Sequence, residues 1–332
     1  MQPAVANIIG TYGFTLSTYG YGQNPYSKLD EDCATLKQAM KGLGTDELSV
    51  INVLCTKPNL HRFMLRQRYS QLYSKDLMTE LESELSGNLL KTCQYLLYSP
   101  YELDCKSLYE GMHRLGTDEN TLIEIIATCP SYQLNEDKTL FKQLYDIDLI
   151  EYVKKETSGL FRDILVAMLE CKRHTNNQTI NLPELEGEAK LLYEAGAKKV
   201  GTNEETFTRI FTTYSQIEMT KISEYYEKIA GVDLYSTLKS EFSGDAERLL
   251  KAILYASINE PEYYARRIRN AIKGLGTDDS ALIRLIVSRK DLDLKLAKTY
   301  YQKIFGSDMV SDVRSDLSGD YKTIITKLLT SC

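Results

Sequence analysis

Four times along this chain a helix-patterned stretch breaks at a Gly-Thr pair, and each time a carboxylate stands 40 positions after the glycine: Gly44 with Glu84, Gly116 with Glu156, Gly201 with Glu241, and Gly276 with Asp316. Each acid is followed two residues later by Ser-Gly. One such pairing would be chance, but four in register describe a repeated site, and successive glycines lie 72, 85 and 75 positions apart. The chain is therefore an array of four related units, which overrides the two domains that its 332 residues alone would suggest. Glycine lets backbone carbonyls turn outward into conformations that a Cβ opposes. Several carbonyls with one carboxylate form the donor set that a hard, oxygen-seeking cation prefers, calcium above all.

Composition narrows the partners. With 43% apolar residues the chain can bury a sizeable core, and its formal charge of -6 supplies no basic field for nucleic acid or an anionic membrane. Any attraction to a membrane has to come from something added. The seven cysteines are scattered without CxxC pairing, which predicts reduced thiols and a cytoplasmic location. The first residues lack the basic and apolar regions of a signal peptide, and no stretch reaches ~18 uninterrupted apolar residues. His61, His113 and His174 form no ligand spacing.

The array reads as all-α, five short helices to each unit. Residues 1–27 form a Gly/Tyr-rich tail expected to be non-helical; the units follow at 28–99, 100–171, 188–257 and 258–332, with a polar linker at 172–187. Leu48, Ile51 and Leu54, flanked by Val50 and Val53, predict a largely buried second helix, ended by Lys57-Pro58 as its counterpart is by Cys129-Pro130. Threonine after each Gly is expected to cap that helix, and Thr202 to Glu205 has the spacing of a capping box. The Ser-Gly pairs are read as the C-terminal close of the fourth helix, with Asn88, Asp245 or Asp320 capping the fifth. Pro100 and Pro261 mark unit boundaries.

These residues carry a resemblance. Lys41-Gly42-Leu43-Gly44-Thr45 with Glu84, and Lys273-Gly274-Leu275-Gly276-Thr277 with Asp316, reproduce the signature of the annexins, and beyond the tail the chain resembles an annexin over nearly its whole length. The resemblance implies four five-helix repeats forming a curved disc, with Ca2+ loops that bind acidic, phosphatidylserine-like phospholipid. Carried over by position, the first site would use the carbonyls of Met40, Gly42 and Gly44 with Glu84, and the fourth those of Ile272, Gly274 and Gly276 with Asp316. The third loop is a variant, and the corresponding set is Gly196, Lys199 and Gly201 with Glu241. The second would use Met112, Arg114, Gly116 and Glu156; because Arg114 replaces the first glycine, it is expected to bind calcium most weakly or not at all. Where the family usually ends its second helix in arginine, this chain has Lys57, Cys129 and Tyr214, keeping only Arg289. Asp104 and Arg284 match charged positions of the family's central channel, read here as a structural network rather than an ion path.

The expected function is calcium-dependent attachment to acidic membranes from the cytoplasm, with secretion lacking a signal peptide left open. No P-loop lysine, Gly-x-Ser-x-Gly or nucleophile-base context supports an enzyme. The competing reading is a calcium-independent helical-repeat scaffold that takes a protein partner on its tail or concave face.

Overall fold

The computed structural model describes residues 27–42, 44–113, 116–196, 201–274 and 276–331. Among these residues 19 helices and no strand are found. The tail expected at 1–27 lies outside the described residues except for Ser27, which opens the first helix. The helices group into two compact units, one of residues up to Ser99 with Leu317–Ser331, the other Pro100–Asp316.

In the first unit, α1 (Ser27–Ala39), α2 (Glu47–Thr56), α3 (Asn59–Tyr73), α4 (Leu77–Glu84) and α5 (Gly87–Leu97) surround one core. Leu29, Cys33 and Leu36 recur on one face of α1 and are buried, as are Ile51 and Leu54 of α2 and Leu65 and Tyr69 of α3. Leu48, expected in the same stripe, is 58% exposed: its position one turn before Ile51 falls on the rim. The C-terminal helix Gly319–Thr330 packs against α2 and α5, burying Ile324, Ile325, Leu328 and Leu329 there. Arg62 is wholly buried because its guanidinium is used inside: Nε donates to Leu96 O at 2.7 Å, and the fork also reaches Lys57 O. Both acceptors belong to helix C-termini, whose last carbonyls have no partner within the helix.

The second unit continues with α6 (Pro100–His113), α7 (Glu119–Thr128), α8 (Ser131–Tyr145), α9 (Leu149–Glu156) and α10 (Gly159–Leu169), then α11 (Leu182–Ala195), α12 (Glu204–Thr213), α13 (Gln216–Ala230) and α14 (Leu234–Glu241). The long α15 (Gly244–Ile272) is followed by α16 (Asp279–Arg289), α17 (Leu294–Phe305) and α18 (Met309–Asp316); the C-terminal helix of the first unit is α19. Inside α15, Asn259 leaves helical geometry (φ −157°, ψ 86°) and its side chain accepts from Glu262 N at 3.2 Å, the N-cap of a new helix that carries Pro261 in its first turn. Counted across that break, each repeat has five helices. The polar segment after α10 lies within the second unit, and Leu182 to Gly187, expected in the linker, are the start of α11 with Pro183 in its first turn.

Three local expectations change. The second helix of each repeat is capped by the residue after threonine: Asp46, Asp118, Asn203 and Asp278 accept from Ser49, Thr121, Thr206 and Ala281 N. The capping box forms at Ser215 and Glu218 rather than at Thr202 and Glu205, because Asn203 already holds the cap and Thr202 is drawn to an acid. The Ser-Gly glycines begin the fifth helix instead of ending the fourth: Gly87 has φ +58°, a left-handed turn that glycine adopts without the cost of a Cβ. Asn88, Asp245 and Asp320 therefore fall inside the first helical turn, beyond the capping position.

One slot shows how the repeats vary within a constant frame. Glu80 on α4 accepts from Lys37 Nζ at 2.9 Å and from Tyr69 and Lys75. Its counterpart Asp312 accepts from Arg269, Tyr301 and Ser307 at 2.6, 2.8 and 2.6 Å. In the second repeat the slot is aromatic, with Tyr109 stacked on Tyr145 and Tyr152 beside Phe141.

Candidate metal centre

Each loop between a repeat's first and second helices is closed by one backbone bond. Asp46 N donates to Ala39 O at 2.9 Å, Asp118 N to Gly111 O at 2.8 Å, Asn203 N to Ala195 O at 2.8 Å and Asp278 N to Ala271 O at 2.8 Å. The capping residue thus ties the head of the second helix to the tail of the first and pinches out the loop. The glycines before threonine have left-handed backbones, φ +86° at Gly44, +83° at Gly116, +86° at Gly201 and +88° at Gly276. At Gly44 and Gly276 an added Cβ would meet nothing within 4 Å, so backbone conformation rather than space requires glycine. Gly42 and Gly274 are also left-handed, at +108° and +134°, which keeps the intact Gly-x-Gly loops alike.

Threonine joins loop and acid. Thr45 Oγ1 donates to Glu84 Oε2 at 3.0 Å, Thr202 Oγ1 to Glu241 Oε2 at 2.5 Å, and Thr277 Oγ1 to Asp316 Oδ2. The acid is the last residue of the fourth helix, and the bond spans 39 positions to set its carboxylate over the loop. A carboxylate has about four acceptor sites, so one threonine bond leaves capacity for a cation. Glu84 and Asp316 are exposed, as are Gly42, Gly44, Gly274 and Gly276, while Met40 and Ile272 at the loop entrances are half-buried. Carbonyl and carboxylate oxygens are hard donors, and this set fits calcium.

The second repeat departs from this plan. Thr117 Oγ1 donates to the backbone O of Glu156 at 2.9 Å, and the Glu156 carboxylate pairs with Lys155 at 3.1 Å. Its acid is not drawn over the loop by threonine. Arg114 lies outside the described residues, while Met112 is buried on α6 and Gly116 is exposed. In the third repeat the closing bond spans one residue more than in the others, from Ala195 to Asn203, and Lys199 lies outside the described residues. Gly196 is buried there, where a Cβ would approach Phe207 Cζ to 3.2 Å and Glu241 Cγ to 3.5 Å. It is glycine for packing.

Of the two charged positions expected inside the second unit, Arg284 lies in an ion-pair network while Asp104 bonds to a neutral amide. Arg284 donates to both oxygens of buried Glu124 at 2.8 and 3.1 Å, and Arg267 adds a bond at 3.1 Å. Asp104 takes Gln133 Nε2 at 2.7 Å. Glu124 was not singled out by sequence, since a lone acid in an apolar stripe looks like a rim residue. Among the described residues no helix is long and apolar enough to cross a membrane.

An all-α array of four five-helix repeats, each with a pinched Gly-Thr loop and a distant acid, defines a helical-repeat protein built around calcium-type loops. The family model described as Annexin matches residues 31–96, 103–168, 187–253 and 263–328, and the chain belongs to that family of calcium-dependent phospholipid-binding proteins. Annexin A8 of Bos taurus is 36% identical over 308 residues, covering 93% of this chain and 94% of that protein. The structure of annexin III aligns with a TM-score of 0.89 at 32% identity, covering 93% of this chain and 95% of that one. Calcium-bound annexin (Sm)1 aligns with a TM-score of 0.82 at 32% identity, covering 91% and 90%. Such relatives are generally non-enzymatic binding proteins, and they support divalent metal binding by this fold.

Proposed function

We propose that the chain attaches peripherally, from the cytoplasm, to acidic phospholipid surfaces through its first, third and fourth loops. The observation that carries this reading is the threonine-to-carboxylate bond shared by those three repeats. Met40, Gly42 and Gly44 with Glu84 would hold one calcium ion, and Ile272, Gly274 and Gly276 with Asp316 another. Gly196, Lys199 and Gly201 with Glu241 form the variant set, while Met112, Arg114, Gly116 and Glu156 form the weakest. Bound calcium supplies a divalent charge whose remaining coordination positions accept lipid phosphate. Three carbonyls and one carboxylate fall short of the usual six to eight oxygens, so affinity without lipid belongs at the ~10⁻⁵ to 10⁻³ M end of calcium sites. Calcium and lipid must then strengthen each other's binding by the same factor.

Sedimentation with phosphatidylserine vesicles tests this. Pelleting in calcium and release by chelator are expected, and behaviour insensitive to both would refute the calcium mechanism and support the calcium-independent scaffold. Direct coordination is little screened whereas exposed charges are, so moderate salt should release less protein than chelator does.

A further inference from the structure

Among the described residues, the second repeat carries a cluster that its three counterparts lack, buried at Cys129 and Asp137 and half-buried at Asp104. The ligand atoms of Asp104 on α6, Cys129 at the end of α7 and Asp137 on α8 all lie within 4.8 Å of one another. Cys129 Sγ is 3.8 Å from Asp137 Oδ2. Asp137 is fully buried, and among the described residues its Oδ1 has no hydrogen-bond partner. An orphaned carboxylate oxygen in a core is costly and points to a missing ligand.

Comparison between repeats shows what is unusual. At the position of Asp137 the others have Leu65, Ile222 and Ala297, all fully buried. At that of Cys129 they have Lys57, Tyr214 and Arg289. Lys57 meets Asp32, the counterpart of Asp104, at 2.8 Å, and Tyr214 meets Glu188 at 2.9 Å. Arg289 likewise meets Asp293 at 2.6 Å and Glu260 at 3.1 Å. A strong donor therefore faces acids in three repeats, whereas the second replaces it with a thiol and adds another acid in an apolar position. Two changes on one spot remove a strong donor from the protein and supply ligands for a cation from outside.

We propose that Asp104, Cys129 and Asp137 bind a zinc-class divalent ion inside the second repeat, separate from the calcium loops. One thiolate with two carboxylates selects zinc, because calcium and magnesium take oxygen and disfavour sulfur. Tetrahedral zinc with bonds of ~2.0 Å to oxygen and ~2.3 Å to sulfur separates its ligands by about 3.5 Å, near the Cys129 to Asp137 distance. One position remains for water. Burial pushes Asp104 up to about 7, and burial together with the Asp104 charge pushes Asp137 well above the carboxylate range, so the cluster without an ion does not hold both carboxylates ionised. Uptake of the ion returns the thiol and carboxyl protons to solvent.

The test uses the full chain in excess calcium, so that the loops are occupied, with zinc and its spectroscopic stand-in cobalt(II) as probes. One equivalent of tightly held zinc and a thiolate-to-cobalt charge-transfer band are expected. Cys129→Ser and Asp137→Leu should each abolish the band and lower the zinc stoichiometry by one while calcium-dependent vesicle binding persists; leucine is what the first repeat uses there. Absence of the band in the unmodified protein, or its persistence in both variants, overturns the proposal. Glu84→Gln should leave band and stoichiometry unchanged, and loss of either would place the ion in a calcium loop instead.

Discussion

Thr45 Oγ1 lies 3.0 Å from Glu84 Oε2, joining the loop before α2 to the last residue of α4 across 39 positions. This bond holds the carboxylate over the loop before any cation arrives, so the protein has already met part of the ordering cost of binding. Thr45→Val combined with Thr277→Val keeps the side-chain shape and removes both bonds. A hydrogen bond contributes ~1 kcal/mol, so the calcium concentration for half-maximal vesicle binding should rise about fivefold. Thr117→Val should change it little, since Thr117 reaches only a backbone oxygen. Equal effects of the two sets would remove the threonine from the mechanism.

Glu84→Gln with Asp316→Asn replaces two charged ligands by amides that retain one acceptor oxygen each. Vesicle binding should demand on the order of tenfold more calcium or beyond, which corresponds to ~1.4 kcal/mol, without loss of helicity. Glu156→Gln should have the smallest effect of any single acid change, because Glu156 is paired with Lys155 and not aligned by its threonine. If Glu156→Gln costs as much as Glu84→Gln, the second loop is a full site.

The fold was legible in the chain because the repeated demand is a backbone one: a left-handed glycine and an acid at fixed distance recur wherever the loop recurs. Distinctions between neighbouring residues were harder to read. Threonine and aspartate both cap helices, and local sequence cannot say that Asp46 takes the cap while Thr45 turns to an acid 39 positions away; only the tertiary meeting of α2 and α4 decides. Pro261 signalled a boundary, yet the break is at Asn259, the residue whose side chain caps the next helix. Asp137 carries no local signal, for a polar residue on an amphipathic helix usually faces water. Its burial shows only when the repeats are laid over one another and Leu65 falls on the same position.

Glu80 gives a pH-dependent contribution whose sign follows from its surroundings. Burial opposes its ionisation, but hydrogen bonds from Lys75, Tyr69 and Lys37 outweigh that and bring it from the ordinary 4.5 to about 2. A depressed carboxyl stabilises the fold above its unfolded pKa and loses that contribution as pH falls through the folded value. Glu80→Gln should therefore lower Tm near neutral pH, and the gap from the unmodified protein should narrow below about 4.5 and close near 2. A gap that stays constant across this range would show that packing, not charge, holds the slot.

Arg62 tests whether a buried cation can be needed for backbone reasons. In the second, third and fourth repeats its position is taken by Leu134, Met219 and Leu294, all buried, so an apolar side chain fits the frame. Yet Arg62 holds Leu96 O and Lys57 O. The third repeat meets the equivalent need differently: Arg173, before α11, donates to Tyr214 O at 2.8 Å, and Ser257 Oγ donates to Ile253 O at 2.7 Å. Arg62→Met should therefore be destabilising despite restoring the apolar pattern, because a buried carbonyl and a half-buried one lose donors at up to ~1–3 kcal/mol each. Urea unfolding should show a loss of roughly 2–4 kcal/mol, less than the full sum because water can reach one carbonyl after relaxation. Arg62→Lys should recover part of it, since an ammonium can satisfy one carbonyl but cannot span two in the planar geometry of the guanidinium. A methionine variant as stable as the unmodified protein would mean that α2 and α5 close without this side chain, and the carbonyl account would be wrong.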